Sequence, residues 1–348
     1  MTEHNDAPVI LDVRNSTGVV ELNRPKALNS LNPEMVDRIV EGLNQWRDDN
    51  TIEQVLFVSR SPKAYCAGGD VRAAREGLID GNVAEVDQFF ADEYAMNSQL
   101  AHYPKPVIAV LDGIVMGGGV GISVHGSHRI VTDKTFASMP EMNIGYVTDV
   151  GAGYAAQRAV GTRGKSSPAL AKFWALTGYR MYAADLLYSG LATHYVKDSE
   201  AVVEDIVERG IDAALGEHST RPEEVAPLAE FIDDIEAIFG AATWEEISQC
   251  LKQAGNEELA RKVAELTQAA SPTSLVAAAE LLAAEERAAS VDDALAMENA
   301  LGKYLRGLPD FREGVRAVLV DKTQDATFTP AAASEVDVEG IRAALDSV

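Results

Sequence analysis

Short β-branched and apolar runs alternate with helical patterns in the first part of the chain, and this alternation constrains the fold most strongly. Four such runs predict strands, at residues 17–22, 55–59, 107–111 and 129–132. Between the first two, apolar residues at three- and four-residue steps predict a helix that opens at Asn32 and Pro33. Because parallel strands joined through helices need crossover connections, the alternation predicts an α/β layer architecture.

Beyond about residue 200 the composition changes to alanine, glutamate and leucine, and strand-like runs become rare. Helix-forming composition with cap or turn residues in between predicts helices at residues 202–215, 222–239, 243–254, 256–270 and 274–289. The small, acidic stretch 326–348 predicts an exposed tail that includes one short helix. We therefore expect a core over residues 1–200, a helical C-terminal region over 201–325 and a tail over 326–348.

The formal net charge of −24 limits the partners of this chain. A polyanion would meet a repulsive field, so nucleic acid and anionic membrane surfaces are not expected to bind. The longest apolar stretch, 106–124, contains Asp112 and five glycines, which argues against a membrane span. An anionic small molecule is compatible with this charge if a few cations surround its site, and Arg24, Lys26 and Lys63 lie near the motifs described below.

Cysteine content and the N-terminus bear on the compartment. Cys66 and Cys250 are far apart in sequence, form no disulfide framework and suit a reducing compartment, so we expect the cytoplasm. Residues 1–6 are polar and acidic, and no export signal is expected from them. No sequence neighbour marks Cys66 as a nucleophile, so packing is its expected role.

A first glycine loop, residues 64–70, reads Ala-Tyr-Cys-Ala-Gly-Gly-Asp and follows a predicted strand. The paired glycines Gly68 and Gly69 let backbone N–H groups approach a ligand closely at the start of a helix. Such a loop can hold an anion. A tight turn between a strand and a helix explains the same residues equally well.

A second glycine loop spans residues 113–121 and again follows a strand. Neither loop is a nucleotide fingerprint, because the first lacks the G-x-G-x-x-G spacing and no Gly-Lys-Ser/Thr follows either one. Two loops of similar design can instead donate one backbone N–H each to the same carbonyl oxygen, which would form an oxyanion hole.

Two carboxylates, Glu141 and Asp149, occur eight residues apart in a mostly uncharged stretch punctuated by glycines. Such a pair can divide labour in a partly apolar site, one acid serving as base or nucleophile and the other positioning a substrate hydroxyl. Solvated loop acids are the commoner explanation in a chain with 54 acidic residues, and the pair alone leaves both interpretations open. His125 and His128 could share a helix face, but no third ligand has zinc spacing, so we predict structural roles for them and no metal site.

With these residues in place, the chain resembles the crotonase (enoyl-CoA hydratase/isomerase) superfamily and, within it, the 3-hydroxyisobutyryl-CoA hydrolase branch. The general superfamily features are Asn-Arg-Pro-Lys-Ala-Leu-Asn at 23–29 and the two glycine loops. The branch-specific segments are 92–94, 123–126, 175–178, 190–194, 271–274 and the C-terminal signature 310–322. Nearly the whole chain takes part in the resemblance.

The resemblance implies an α/β, crotonase-like (ClpP/crotonase) fold of repeated ββα units with a mainly helical C-terminal part. It implies that an acyl-CoA thioester binds in residues 1–200, as substrate rather than cofactor, and that no separate cofactor is needed. Trimers and hexamers are frequent in the superfamily, so a homo-oligomer is expected. The resemblance also implies site residues: the amides of Gly69 and Gly118 around the thioester oxygen, Glu93, Glu141 and Asp149 in the acyl pocket, and Lys26, Ala27 and Ala67 as further contacts of the substrate.

One position separates two reactions within the superfamily. Hydratases carry one glutamate just after the glycine triplet and a second that matches Glu141, and here the first of these positions is Gly121. The resemblance therefore implies hydrolysis of a short hydroxyacyl-CoA, with Glu141 either attacking the thioester or activating water. An enoyl-CoA hydratase or isomerase and a non-catalytic acyl-CoA-binding protein remain the alternatives.

The neighbours of the two acids depart from the branch pattern. That pattern commonly reads Pro-Glu-Thr-Ala-Ile-Gly-Leu-Phe-Pro-Asp-Val-Gly-Gly-Gly, whereas this chain differs at residues 142–143, 146–148 and 152. Because the acids keep their register, the departures bear on the acyl chain more than on the reaction. The branch suggests valine breakdown as the pathway.

Overall fold

The computed structural model describes residues 7–348, so the N-terminal segment 1–6 lies outside the described residues. The strands of the described part are β1 (Val9–Arg14), β2 (Thr17–Leu22), β3 (Gln54–Ser59), β4 (Ala64–Cys66), β5 (Val107–Leu111), β6 (Ile114–Met116), β7 (His128–Val131), β8 (Phe136–Ser138), β9 (Met181–Tyr182), β10 (His194–Val196) and β11 (Ser219–Thr220). They form two sheets, in the orders β1-β2-β3-β5-β7-β10-β11 and β4-β6-β8-β9.

Helices make up most of the remainder. In chain order they are α1 (Pro33–Arg47), α2 (Val71–Ile79), α3 (Val83–Ala101), α4 (Gly118–Val124), α5 (Ala152–Arg158), α6 (Pro168–Thr177), α7 (Ala183–Ser189), α8 (Ser199–Arg209), α9 (Ile211–His218), α10 (Ile232–Phe239), α11 (Trp244–Gln253), α12 (Glu257–Thr267), α13 (Pro272–Glu285), α14 (Val291–Gly307), α15 (Pro309–Val315) and α16 (Val338–Leu345). Short 3-10 helices include Pro25–Ala27, Glu141–Ile144 and Pro227–Glu230. A π-helical turn, Arg316–Val320, follows α15 directly.

Successive strand pairs divide between the two sheets, and this division confirms the expected ββα units. β3, β5 and β7 lie side by side in the larger sheet, and β4, β6 and β8 lie side by side in the smaller one. Neighbours within each set are parallel, so each pair must return through a crossover that contains helix. The antiparallel pairs β1–β2 and β10–β11 close the two edges of the larger sheet.

Most sequence predictions of single elements are confirmed. The strands predicted at 17–22 and 107–111 match β2 and β5 to the residue. Helix α1 begins where expected, because the side chain of Asn32 accepts a hydrogen bond from the Met35 amide at 3.0 Å and caps the helix. The predicted helices at 243–254, 256–270 and 274–289 correspond to α11, α12 and α13.

Two predicted helices were wrong in extent. The helix expected over 202–215 is broken into α8 and α9 by Gly210, whose φ of 82° and ψ of 166° no helix can include. The helix expected over 222–239 is α-helical only from Ile232, since Ala226 precedes Pro227 and takes an extended ψ of 116°.

Two hydrophobic clusters form the core. The larger one runs from Val9 to Leu345 and includes residues of the C-terminal helices, and the smaller one packs α8 and α9 on the larger sheet. The short helix expected in the tail is α16, which packs on α13 and α14 and buries Ile341 completely. The division of the chain at residues 200 and 325 stays a prediction.

The smaller sheet places three chain segments at one edge. β4, β6 and β8 are parallel neighbours, so their carboxyl ends lie together. Gly69, Gly118 and Glu141 follow these three strand ends within a few residues. Ligands of parallel α/β sheets bind outside the carboxyl ends of the strands, and this edge is therefore the place to look for a site.

Candidate active site

A cavity of about 480 Å³ opens at this edge. The eight residues that the resemblance implies as site residues all line it, namely Lys26, Ala27, Ala67, Gly69, Glu93, Gly118, Glu141 and Asp149. They come from segments spread over more than a hundred residues of chain. The fold therefore brings the predicted residues together, and the solvated-loop interpretation of Glu141 and Asp149 is wrong because the two acids are only 9% and 6% exposed.

The two glycine loops meet at the cavity wall. A Cβ added to Gly118 would clash with a carboxylate oxygen of Glu93 and lie 3.4 Å from the Gly69 nitrogen, so the two backbone segments are in close contact. Among the described residues, neither the Gly69 nor the Gly118 amide donates to an acceptor. Two adjacent unpaired N–H groups can hold one oxygen that carries developing negative charge.

Both loops depend on glycine for their shape. Gly68 has a φ of 103° and Gly117 a φ of 46°, and both lie in the left-handed region that side chains disfavour. A Cβ on Gly119 would clash with the Cys66 carbonyl oxygen, so the two loops can pack this closely only with glycine at position 119. Cys66 is fully buried, and burial raises the pKa of its thiol to about 12. The predicted packing role of Cys66 is confirmed.

Glu93 reaches the cavity from α3 and is 2% exposed. Its Oε1 has no hydrogen-bond partner among residues 7–348, although an unpaired buried carboxyl oxygen is costly. Burial first, and then the charge of Asp149, raise the pKa of Glu93 to about 8. At neutral pH the Glu93 side chain is therefore mostly protonated and able to donate a hydrogen bond into the cavity.

Glu141 begins the 3-10 helix Glu141–Ile144, directly after Pro140. Its Oε1 lies beside the second glycine loop, 3.0 Å from where a Cβ on Gly117 would stand, and its Oε2 has no partner in the described part of the chain. Burial raises the pKa of Glu141 well above its usual value, and the charges of Asp149 and Glu93 raise it further. The surroundings of Glu141 therefore favour its protonated form, and loss of its proton is needed before it can act as a base or nucleophile.

Asp149, unlike the free oxygens of Glu93 and Glu141, accepts a short hydrogen bond from a side chain. The Tyr94 hydroxyl donates to Asp149 Oδ2 at 2.7 Å. Burial raises the pKa of Asp149 to about 6, while the Tyr94 hydrogen bond and the charge of Arg306 oppose that rise. Asp149 is thus mostly ionised at neutral pH, and its negative charge in turn favours the protonated forms of Glu93 and Glu141.

A strained turn holds Asp149 in place. The next residue, Val150, has a φ of 57°, a left-handed conformation that is rare for a β-branched residue. His125 Nε2 lies 2.7 Å from the Val150 carbonyl, to which it must donate, and burial lowers the pKa of His125 to about 4, so the ring is neutral. Both carboxylate oxygens of the buried Glu298 accept from the Gly151 amide. The predicted structural role of His125 is confirmed.

The C-terminal signature and the residues just after it also line the cavity. Val318, Leu319, Lys322 and Gln324 line it. Arg316 braces this segment through ion pairs of 2.8 Å to Glu313, 2.6 Å to Asp321 and 3.1 Å to Asp325. Nothing in the sequence pattern indicated that this segment faces the site.

Cations gather at the cavity in an otherwise acidic chain. Lys26, Arg72 and Lys322 line it, whereas Lys63 does not, and Arg24 is paired with Asp70 at 2.9 Å. In residues 7–348 no group of three or more His, Cys, Asp or Glu side chains is arranged to hold a metal. Every helix of the described part is too short or too polar to cross a bilayer.

The sequence profile of the family described as "Enoyl-CoA hydratase/isomerase" matches residues 17–345 of this chain. The chain belongs to this family. Solved structures of similar proteins also share its fold. A carnitinyl-CoA dehydratase from Mycobacterium thermoresistibile is 35% identical with a TM-score of 0.89, and 98% of this chain and 97% of that one are covered. An enoyl-CoA hydratase from Rhodobacter sphaeroides 2.4.1 is 32% identical with a TM-score of 0.85, with 97% of each chain covered. The crotonase-like fold is thereby confirmed.

Similar relatives within the family include proteins named "3-hydroxyisobutyryl-CoA hydrolase, mitochondrial". The protein from Danio rerio is 36% identical, covering 99% of this chain and 92% of its own. The Homo sapiens protein is 37% identical, covering 98% of this chain and 89% of its own. These names place the relatives in mitochondria, and the cytoplasmic location expected from the cysteine content stays a prediction.

Proposed function

We propose that this protein hydrolyses the thioester of 3-hydroxyisobutyryl-CoA to 3-hydroxyisobutyrate and CoA. The observation that carries the proposal is that Glu141 and Asp149 meet in one buried cavity beside two unpaired glycine amides, while position 121 offers no carboxyl. The similarity to hydrolases over almost the full length of both chains supports the same reaction.

In this proposal the thioester oxygen lies between the amides of Gly69 and Gly118, which stabilise the charge that develops as the carbonyl carbon is attacked. Glu141, once ionised, either forms a bond to that carbon or takes a proton from a water molecule that does so. If water attacks, the C–S bond then breaks and the proton that Glu141 took passes to the departing sulfur. If Glu141 attacks, the C–S bond breaks to release the thiolate, which takes a proton from solvent. If Glu141 attacks directly, water cleaves the resulting anhydride and restores the carboxylate.

The remaining side chains would bind the two ends of the substrate. Asp149 accepts from the 3-hydroxyl of the acyl group, and protonated Glu93 donates to it. Lys26, with Ala27 and Ala67, lies along the thioester arm, where its charge favours an anionic ligand such as coenzyme A. We expect neither a metal nor a separate cofactor, and we expect a trimer or hexamer that acts in valine breakdown.

The direct test is release of free thiol from 3-hydroxyisobutyryl-CoA by the purified protein. We expect multiple turnovers, and stoichiometric binding without turnover over a panel of hydroxyacyl-CoA thioesters would instead support an acyl-CoA-binding protein. Loss of the enoyl thioester absorbance on mixing with crotonyl-CoA would support a hydratase, the activity named for some structural neighbours.

Gly121 provides the structural argument against hydratase chemistry. A Cβ added to Gly121 would lie 2.7 Å from the Val150 Cβ and 3.1 Å from Asn97 Nδ2, so the space for a second glutamate is already filled. Gly121→Glu is therefore expected to reduce thiol release more than tenfold through displacement of the Asp149 turn, and not to create hydratase activity. Crotonyl-CoA absorbance measures the second point, and a gain of hydration would contradict the proposal.

The pH dependence of hydrolysis should follow Glu141. Its raised pKa means that kcat/KM increases with pH as Glu141 loses its proton. Asp149→Asn removes the neighbouring negative charge that disfavours ionised Glu141, so the acidic limb should move to lower pH by about one unit, although the remaining rate is small. A pH profile of thiol release measures this shift, and a limb that stays in place or moves to higher pH would refute the coupling.

A further inference from the structure

A line of hydrogen bonds connects Asp149 with a buried arginine on the C-terminal helix α14. Arg306 is 3% exposed, and its Nη1 donates to the Tyr146 hydroxyl at 2.8 Å. The Tyr146 and Tyr94 hydroxyls lie 3.2 Å apart, and Tyr94 donates to Asp149 Oδ2 at 2.7 Å. At its outer end, Arg306 Nη2 is paired with Asp87 of α3 at 2.6 Å.

The proton positions in this line follow from the two ends. An arginine can only donate, so the Tyr146 oxygen accepts from Arg306. Tyr94 donates its single hydroxyl proton to Asp149, and its oxygen therefore accepts from Tyr146. Every donor then points from Arg306 towards Asp149, and all three bonds are satisfied only when Asp149 Oδ2 is an acceptor.

The packing around Tyr146 is built for its hydroxyl. A Cβ added to Gly302 of α14 would clash with the Tyr146 hydroxyl and would lie 2.9 Å from Arg306 Nη1. The Tyr146 ring packs against Phe90 and Phe311 with centroid distances of 5.5 and 5.6 Å. Tyr146 is one of the positions at which this chain departs from the branch pattern, so the line is a property of this chain's own residues.

We propose that Arg306, Tyr146 and Tyr94 are positioning residues, which act as a one-way hydrogen-bond chain to hold Asp149 ionised and aimed at the acyl group. The statement that Asp149 faces an acyl group rests on the function proposed above. The positioning residues touch no reacting atom in this proposal. They determine which of the buried acids carries the negative charge.

The charges around Asp149 explain why such a chain is needed. Glu93 faces it from α3, Glu141 from the 3-10 helix, Glu285 from α13 and Glu298 from α14, and the charge of Asp149 raises the pKa of all four. Arg306 is the cation that opposes the rise in the pKa of Asp149, and Tyr94 supplies the hydrogen bond. The hydrogen-bond chain therefore offsets the effect of burial on the pKa of Asp149, one of the five acids. The other four are left to take up protons.

The test is the ionisation of Asp149 in the full chain without substrate. Infrared difference spectra between a protein and its Asp149→Asn partner, recorded over a range of pH, isolate this carboxyl group. Tyr146→Phe keeps the ring packing and removes the hydroxyl, so we expect the Asp149 midpoint to rise by about one pH unit. Gly302→Ala, which pushes the hydroxyl aside without removing it, should raise the midpoint as well.

Tyr195→Phe is the matched control. The Tyr195 hydroxyl also donates to an aspartate, Asp133, at 2.6 Å, but neither residue lines the cavity. We expect this variant to leave the midpoint unchanged. A folded Tyr146→Phe protein with an unchanged or lowered midpoint would overturn the proposal.

A second measurement tests the hydrogen-bond chain and the proposed function separately. The ratio of kcat/KM for 3-hydroxyisobutyryl-CoA to that for isobutyryl-CoA should fall about tenfold in Tyr146→Phe, because only the first substrate offers a hydroxyl to Asp149. A raised Asp149 midpoint with an unchanged ratio would support the hydrogen-bond chain. It would contradict the proposal that Asp149 binds the substrate hydroxyl. Absence of thiol release from the unmodified protein would refute the function and leave the infrared result valid.

Discussion

Glu141→Gln is expected to lower kcat for thiol release from 3-hydroxyisobutyryl-CoA by about a thousandfold or more, because an amide can neither attack the thioester nor accept a proton from water. The fold should be kept, since Glu141 is buried with an unpaired Oε2, and a neutral amide of the same shape avoids the charge that burial disfavours. Thiol release and thermal unfolding measured on the same preparation test both statements.

The comparison for this variant is Glu34→Gln, an exposed acid in the first turn of α1 that lies outside the cavity. It should retain full activity. Undiminished turnover by Glu141→Gln would remove Glu141 from the mechanism, whereas loss of both turnover and folded structure would leave the rate change without a chemical cause.

Gly118→Ala is expected to reduce kcat by about a hundredfold to a thousandfold, on the order of 3 kcal/mol of transition-state stabilisation. The added methyl group would press on the Glu93 carboxylate, lie 2.9 Å from Leu31 Cδ1 and intrude on the space beside the Gly69 amide. The site that should receive the thioester oxygen is then partly filled. The loss should appear in kcat more than in KM, because the oxyanion forms only during the reaction.

Gly216→Ala is the matched control for this prediction. Gly216 is exposed in α9, and a Cβ there meets no atom within 4 Å. Activity should be unchanged and the free energy of unfolding should rise by about 0.5–1 kcal/mol, since alanine is the better helix former. A Gly118→Ala protein as active as Gly216→Ala would show that the Gly118 amide does not hold the oxygen.

The sequence predicted those parts of the molecule that depend on local pattern. β2, β5 and α1 follow from β-branched runs, apolar spacing and the Asn32 cap, and each was placed correctly. The joins between elements were harder, because Gly210 and Pro227 interrupt stretches whose composition is otherwise helical. A single residue of special backbone geometry outweighs the propensity of its neighbours there.

The residues of the candidate site were found through motif resemblance, and their surroundings were not. Tyr94 lies in the branch-specific segment 92–94, but no role was predicted for it. Arg306 lies in none of the predicted segments, and 160 residues separate it from Tyr146. No local pattern encodes such a contact, because it forms only when distant parts of the chain pack together. The burial of Glu93, and with it the pKa of about 8, also depends on tertiary packing, since its carboxylate lies beside the two glycine loops.

The crowding of Glu93, Glu141 and Asp149 around one end of the cavity has a consequence for what leaves it. Hydrolysis turns a neutral thioester into a carboxylate, so the acyl product would be a fourth acid among three that already share too little solvation. The free hydroxy acid is therefore repelled from the place where it forms, while coenzyme A keeps its attraction to the cationic side chains Lys26, Arg72 and Lys322. Of the two products, coenzyme A should therefore dissociate more slowly and compete with new substrate.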